Sequence, residues 1–133
     1  MNDTIEGNAP NTIGDQLGIE FEKGLLHSML YNEHVAMRVG EYDVNWFESE
    51  PVAYCMKAYQ DCRQKNSTQW ITWPMLNSYV YAMRSRMKRE SPEVQTANAS
   101  LLLLKALSRR KRDTSFDKFA LEEIGRASCR ERV

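Results

Sequence analysis

An all-α fold is expected from three observations. Apolar residues recur at three- and four-residue steps along most of the chain. Three segments pair a capping hydroxyl with a proline at the next position or the one after, which marks helix starts. Only Gln69 to Trp73 is β-prone, too little for a sheet. The chain has 133 residues, enough for one domain with one modest core. Its 18 basic and 18 acidic residues balance, so bulk charge does not make it a nucleic-acid binder, although local patches remain.

Met1 to Asp15 holds Gly7, Pro10, Gly14 and several asparagines without a period, and reads as a flexible leader. Leu17, Phe21, Leu25 and Met29 then step by four, with Leu26 and Leu30 widening the stripe, so a core-facing helix is expected to Tyr31. Gly24 within it costs about 1 kcal/mol relative to alanine, which points to close packing of another element there. Asn32 caps a short second helix that stops at Gly40. Tyr42 to Phe47 is a connector anchored by aromatics.

Ser49-Glu50-Pro51 opens a third helix with Val52, Cys55, Met56, Tyr59 and Cys62 on its apolar face, and Gln64 to Gln69 forms a polar loop. Thr72-Trp73-Pro74 opens a fourth, with Leu76, Val80, Met83 and Met87 as its stripe. Ser91-Pro92-Glu93 opens a fifth, with Val94, Ala97, Leu101, Leu104 and Leu107. Asp113-Thr114-Ser115 interrupts the pattern before Phe116, Phe119 and Ala120 begin a sixth.

From Glu123 to Val133 the sequence resembles an in-frame translation of a sequencing adapter, so residues 123–133 are expected to be a non-native tail, with the authentic protein continuing past Glu122. Setting that tail aside leaves 15 basic and 16 acidic residues and two cysteines, Cys55 and Cys62. Seven apart on a helix, these lie about 10 Å apart along the axis, too far for a disulfide, and read as small buried hydrophobes.

Catalytic patterns are missing from the sequence: no phosphate loop, dinucleotide fingerprint, nucleophile elbow or His-Glu-x-x-His segment occurs. His27 and His34 read as packing or surface groups, and Glu20 and Glu22 as first-turn acids that complement the helix dipole. No catalytic, cofactor or metal residue is assigned. Two basic clusters stand out, Arg84, Arg86, Lys88 and Arg89, then Arg109, Arg110, Lys111 and Arg112. Both sit at expected helix C-termini, where cations complement the dipole, and both are candidates for contact with phosphates or an acidic partner. The run Leu101, Leu102, Leu103 and Leu104, with Leu107, goes around its helix, so it needs cover on several sides, from its own domain or by self-association. No window is long and apolar enough for a membrane span, and the start lacks a secretory pattern, so a cytoplasmic protein is expected.

Ile19-Glu20-Phe21-Glu22, followed by Leu25-Leu26 and Met29-Leu30, resembles the I-E-x-E-x-x-(V/L)-L-G opening of the N-terminal domain of DnaB-type replicative helicases. Asn32-Glu33 falls where that family has its Asp-Asn-Glu turn. Trp46-Phe47 followed by Pro51 resembles its aspartate–phenylalanine pair and next helix start, and Ile71-Thr72-Trp73-Pro74-Met75-Leu76 loosely matches its I-D-x-x-T-L segment. Order and spacing carry the resemblance, clearest from Ile19 to Val80 and approximate to Glu122. His27 stands where the family has glycine, Trp70 stands near its aspartate, and the Pro51 region lacks its histidine.

The resemblance implies a helical head followed by a helical hairpin, here Ser91 to Arg112 and a truncated arm from Phe116. It implies self-association within a hexameric ring and contact with primase or a helicase loader. ATP, magnesium and DNA would be engaged by a motor domain missing from this chain, and a divergent, phage-like member would fit. The competing expectation is a helix-turn-helix DNA-binding regulator presenting Asn77, Arg84 and Arg86, against which stands the long loop before the fourth helix.

Overall fold

The computed structural model describes the backbone of residues 12–132 and the side chains of residues 12–126. Among them are seven α-helices, a single 3-10 turn and no strand: α1 Ile13–Leu17, α2 Ile19–Tyr31, α3 Glu33–Val39, the 3-10 turn Val44–Trp46, α4 Glu50–Asn66, α5 Trp73–Arg86, α6 Glu93–Ser108 and α7 Thr114–Arg132. The all-α bundle expected from the periodicity is what forms. No helix is long and apolar enough to cross a membrane among the described residues.

Most of the expected leader, residues 1–11, lies outside the described residues. Its last part is helical. Thr12 and Asp15 form a capping box, each side chain accepting from the other's backbone N–H, and Ile13 is buried behind it. Gly18, at φ +96°, breaks the chain between α1 and α2; a side chain would be strained there. Asn32 caps α3 by accepting from His34 N at 2.9 Å and Val35 N at 3.4 Å. Ser49 caps α4, which continues to Asn66, inside the expected loop, before Ser67 turns left-handed at φ 52°. Thr72 occupies the cap position of α5 without a side-chain hydrogen bond.

Helices α2 and α4 meet at the centre. On one side α5 and α6 cover α4 and each other; on the other, α1, α3 and α7 pack around α2. The last two helices therefore do not run outward together as a hairpin; their main contacts are with different sides of the head. The reason lies in α7: Phe116, Ala120 and Ile124 recur at four-residue steps as its core-facing stripe, and the helix packs against α2, α1 and α3. The helix passes through Glu122 without a break, and Ile124 is buried.

Gly24 is the point of closest approach. A Cβ there would stand 2.6 Å from Cζ of Phe116, so the glycine admits the α7 ring. Phe21, Phe116 and Phe119 form a tilted and edge-on cluster beside it, with centroids 5.5–6.4 Å apart. Asp117 follows as a polar lock: it accepts from Ser28 Oγ at 2.5 Å, Asn32 Nδ2 at 2.9 Å and Arg112 at 3.1 Å. Burial would raise its carboxyl, but these three hydrogen bonds and the Arg112 charge hold it below the usual carboxylate range.

Glu22 is the first-turn acid expected, but it does more than complement the helix dipole, because it is fully buried. Its carboxylate accepts from the backbone N–H of Gly14 at 2.6 Å, Glu48 at 2.7 Å and Ser49 at 2.9 Å, clasping α1 and the start of α4 to α2. Cys55 and Cys62 are free and buried, as their spacing implied. Burial pushes the Cys55 thiol up to about 12.

Candidate functional site

Helices α5 and α6 lie antiparallel, as two cross-links show. The indole N–H of Trp73, at the start of α5, donates to the Leu104 carbonyl at 2.7 Å near the end of α6. Arg84 Nε, near the end of α5, donates to Asn98 Oδ1 at 2.6 Å. Between these ties lies a trough of about 430 Å³, with Trp73, Tyr81, Leu101 and Leu102 supplying its apolar surface and Asn77, Asn98 and Lys105 its polar edge.

The trough is open. Leu102 is 68% exposed and Tyr81 63% exposed. The leucine run is thus divided by position: Leu104 and Leu107 are core residues, Leu101 and Leu103 pack partly against the core, and Leu102 alone faces outward. The need for cover that the sequence raised is met for four of these five by the chain itself. Tyr81 is a residue that sequence reading passed over. The signal was present in a second stripe on α5, Trp73, Asn77 and Tyr81 at four-residue steps, which meets Asn98, Leu101, Leu102 and Lys105 on α6.

Two cations border the trough, Lys105 on its edge and Arg84 through its bond to Asn98. The first basic cluster follows the end of α5, with Arg86, Lys88 and Arg89 exposed and Arg84 held by Asn98. Arg109 is exposed at the end of α6. Arg110 and Arg112 of the second cluster instead reach α2 and α7. Arg110 pairs with Glu20 at 3.8 Å, and Arg112 pairs with Asp117 at 3.1 Å and lies over the Tyr31 ring at 5.7 Å. These two arginines have structural partners beyond the helix dipole.

A smaller polar cleft of about 170 Å³ lies where the 109–113 linker crosses α2, lined by His27, Ser28, Arg110, Lys111 and Asp113 among others. His27 is buried and its Nε2 has no hydrogen-bond partner. Burial, then the charges of Arg110 and Arg112, lower its pKa from the ordinary value. His34 is exposed. Among the described residues no group of three His, Cys, Asp or Glu side chains is placed to hold a metal ion.

Asn77, Arg84 and Arg86 are not brought to one free face. Asn77 lines the trough and Arg84 is bonded to Asn98, while Arg86 lies about 200° round the helix from Arg84. No family model matches the chain, and no curated protein or solved structure matches it either.

Proposed function

We propose that this chain is the N-terminal assembly and partner-docking domain of a cytoplasmic replicative helicase of the DnaB type, in which DNA unwinding and the binding of ATP and magnesium belong to a motor domain outside it. The observation that supports this reading is where the landmarks of the resemblance fall. Glu22 of the Ile-Glu-Phe-Glu opening is the buried clasp on α1 and α4. Asn32 caps α3, Phe47 is buried, Pro51 lies in the first turn of α4, and Ile71 is buried just before α5. The landmarks are thus the residues that fix the head, in the order the family has them.

Docking also agrees with the surface. An apolar trough with a cation toward each end serves adhesion to primase or a loader better than it serves chemistry. Ring formation is read as a property of the full-length protein, since Leu104 and Leu107 are spent on this chain's own core. Sequencing the source DNA through the codon for Glu122 tests the reading. A frame that continues into a linker and a Gly-x-x-x-x-Gly-Lys-Ser/Thr segment is expected. A frame that stops soon after would remove it, leaving a standalone helical module with the DNA-binding regulator as its leading role.

A further inference from the structure

We propose that the trough between α5 and α6 is the docking groove for an acidic amphipathic helix of a protein partner, which gives the partner-docking reading above a chemistry and rests on it. Charge identifies the occupant. Between Arg63 and Arg89 the sequence has no carboxylate, and none occurs from Val94 to Arg112. Within α5 and α6 the sole acid is Glu93, at the first residue of α6. The trough has Lys105 beside Trp73 at one end and Arg84 with Asn98 at the other. An apolar floor with cations at both ends complements a helix with an apolar stripe and acidic flanks. From Trp73 to Arg84 the trough runs about 16 Å, some three turns of such a helix.

A second copy of this chain is a poor occupant. Two such troughs meeting face to face would set Arg84 and Lys105 of one against cations of the other, with no carboxylate among the residues lining either trough to separate them. Single-stranded nucleic acid fits poorly too, because successive bases need successive open aromatic faces. Here Trp73 is half-buried with its N–H bonded to Leu104, so Tyr81 is the one open ring of the floor.

The test is selection of a displayed library of 18-residue helical peptides on the full chain, followed by fluorescence anisotropy of the enriched peptides and of a 16-nucleotide oligothymidine. Enriched peptides should carry Leu, Ile or Phe at i, i+3 or i+4 and i+7, flanked by Asp and Glu. Their affinity should fall by roughly tenfold or more on Leu102→Glu and on Lys105→Glu, each with an unchanged urea midpoint. Enrichment of basic or aperiodic peptides, no enrichment, or binding indifferent to both substitutions overturns the proposal. Oligothymidine binding lost on Leu102→Glu reassigns the trough to nucleic acid, and a Leu102-dependent dimer in sedimentation reassigns it to a second copy. The two readings fail separately: enrichment of acid-flanked helices sustains the groove even if the DNA frame ends early, and a motor-coding frame without enrichment removes the groove alone.

Discussion

Glu22 offers the sharpest test of how the head is held. Its Oε2 accepts from Gly14 and Glu48, and its Oε1 accepts from Ser49. Glu22→Gln leaves one acceptor oxygen. With that oxygen in the Oε2 position, the two shorter bonds survive without the charge, and the amide NH2 faces the Ser49 N–H, donor against donor. Losing one charge-assisted bond and weakening two gives about 2–3 kcal/mol. Glu22→Ala removes both acceptor oxygens, leaves three N–H groups without their partner and opens a void, giving about 4–5 kcal/mol, at the upper end for single substitutions. A domain of this kind has about 5–15 kcal/mol in all, so at the low end of that range the alanine variant would be barely folded. With a urea dependence of about 1.5 kcal/mol per M, the midpoint followed by far-UV circular dichroism should fall by about 1.3–2 M for glutamine and about 3 M for alanine. Glu20→Gln, at an exposed side chain, should move it by less than about 0.3 M. The reasoning fails if Glu22→Gln behaves like Glu20→Gln, or if alanine is no worse than glutamine.

Three further outcomes follow from the packing. His27 has a lowered folded pKa, so the unfolded chain takes up a proton first as pH falls below about 6.5; stability is full above that value and drops by at most about 1.4 kcal/mol per pH unit toward the folded value. Urea midpoints at pH 7.5 and 5.5 should therefore differ less in His27→Phe than in the parent. Leu104→Ala should cost about 2–5 kcal/mol, whereas Leu102→Ala should stay within about 0.5 kcal/mol, both read from urea curves. Gly24→Ala should lower the melting temperature, because crowding Phe116 costs about 1–3 kcal/mol against a helix-propensity gain of about 1 kcal/mol; a rise would show that the ring moves aside freely.

The helices were legible in the sequence because burial follows period. The stripe Val52, Cys55, Met56, Tyr59 and Cys62 is buried throughout, and Asn32 and Ser49 cap where their residue types predict. Gly24 announced a close approach, and the Phe116 ring makes it. What escaped depends on distance along the chain. Glu22 bonds to residues 8, 26 and 27 positions away, and Asp117 bonds to Ser28 across 89 positions. A local pattern registers a first-turn acid; it carries nothing about the N–H groups a later segment will bring. The turn of α1 was missed because five residues give too few steps to show a period, although the Thr12-to-Asp15 spacing of its capping box was present. The leucine run illustrates the same limit: four adjacent apolar residues point around the helix, and only the positions of α4 and α5 decide which of them remain outside.

That division also separates the two basic clusters, which composition presents as equivalent. Arg112 reaches Asp117, itself tied to Ser28 and Asn32, so the second cluster closes the polar lock that seats α7 on α2 and α3. Arg84 reaches Asn98 on α6 instead, at the edge of the exposed trough, and the cations after it meet no carboxylate before Glu90. A cation bonded to a buried carboxylate contributes to folding and has little left for a ligand. A cation beside an open apolar surface contributes little to folding, and its charge remains available to whatever covers that surface. Replacing Arg112 should therefore destabilise the fold without touching peptide binding, and replacing Lys105 should do the reverse. Urea midpoints and peptide affinities measured on the same two variants decide it: parallel losses in both properties would mean that the fold does not partition its charges in this way.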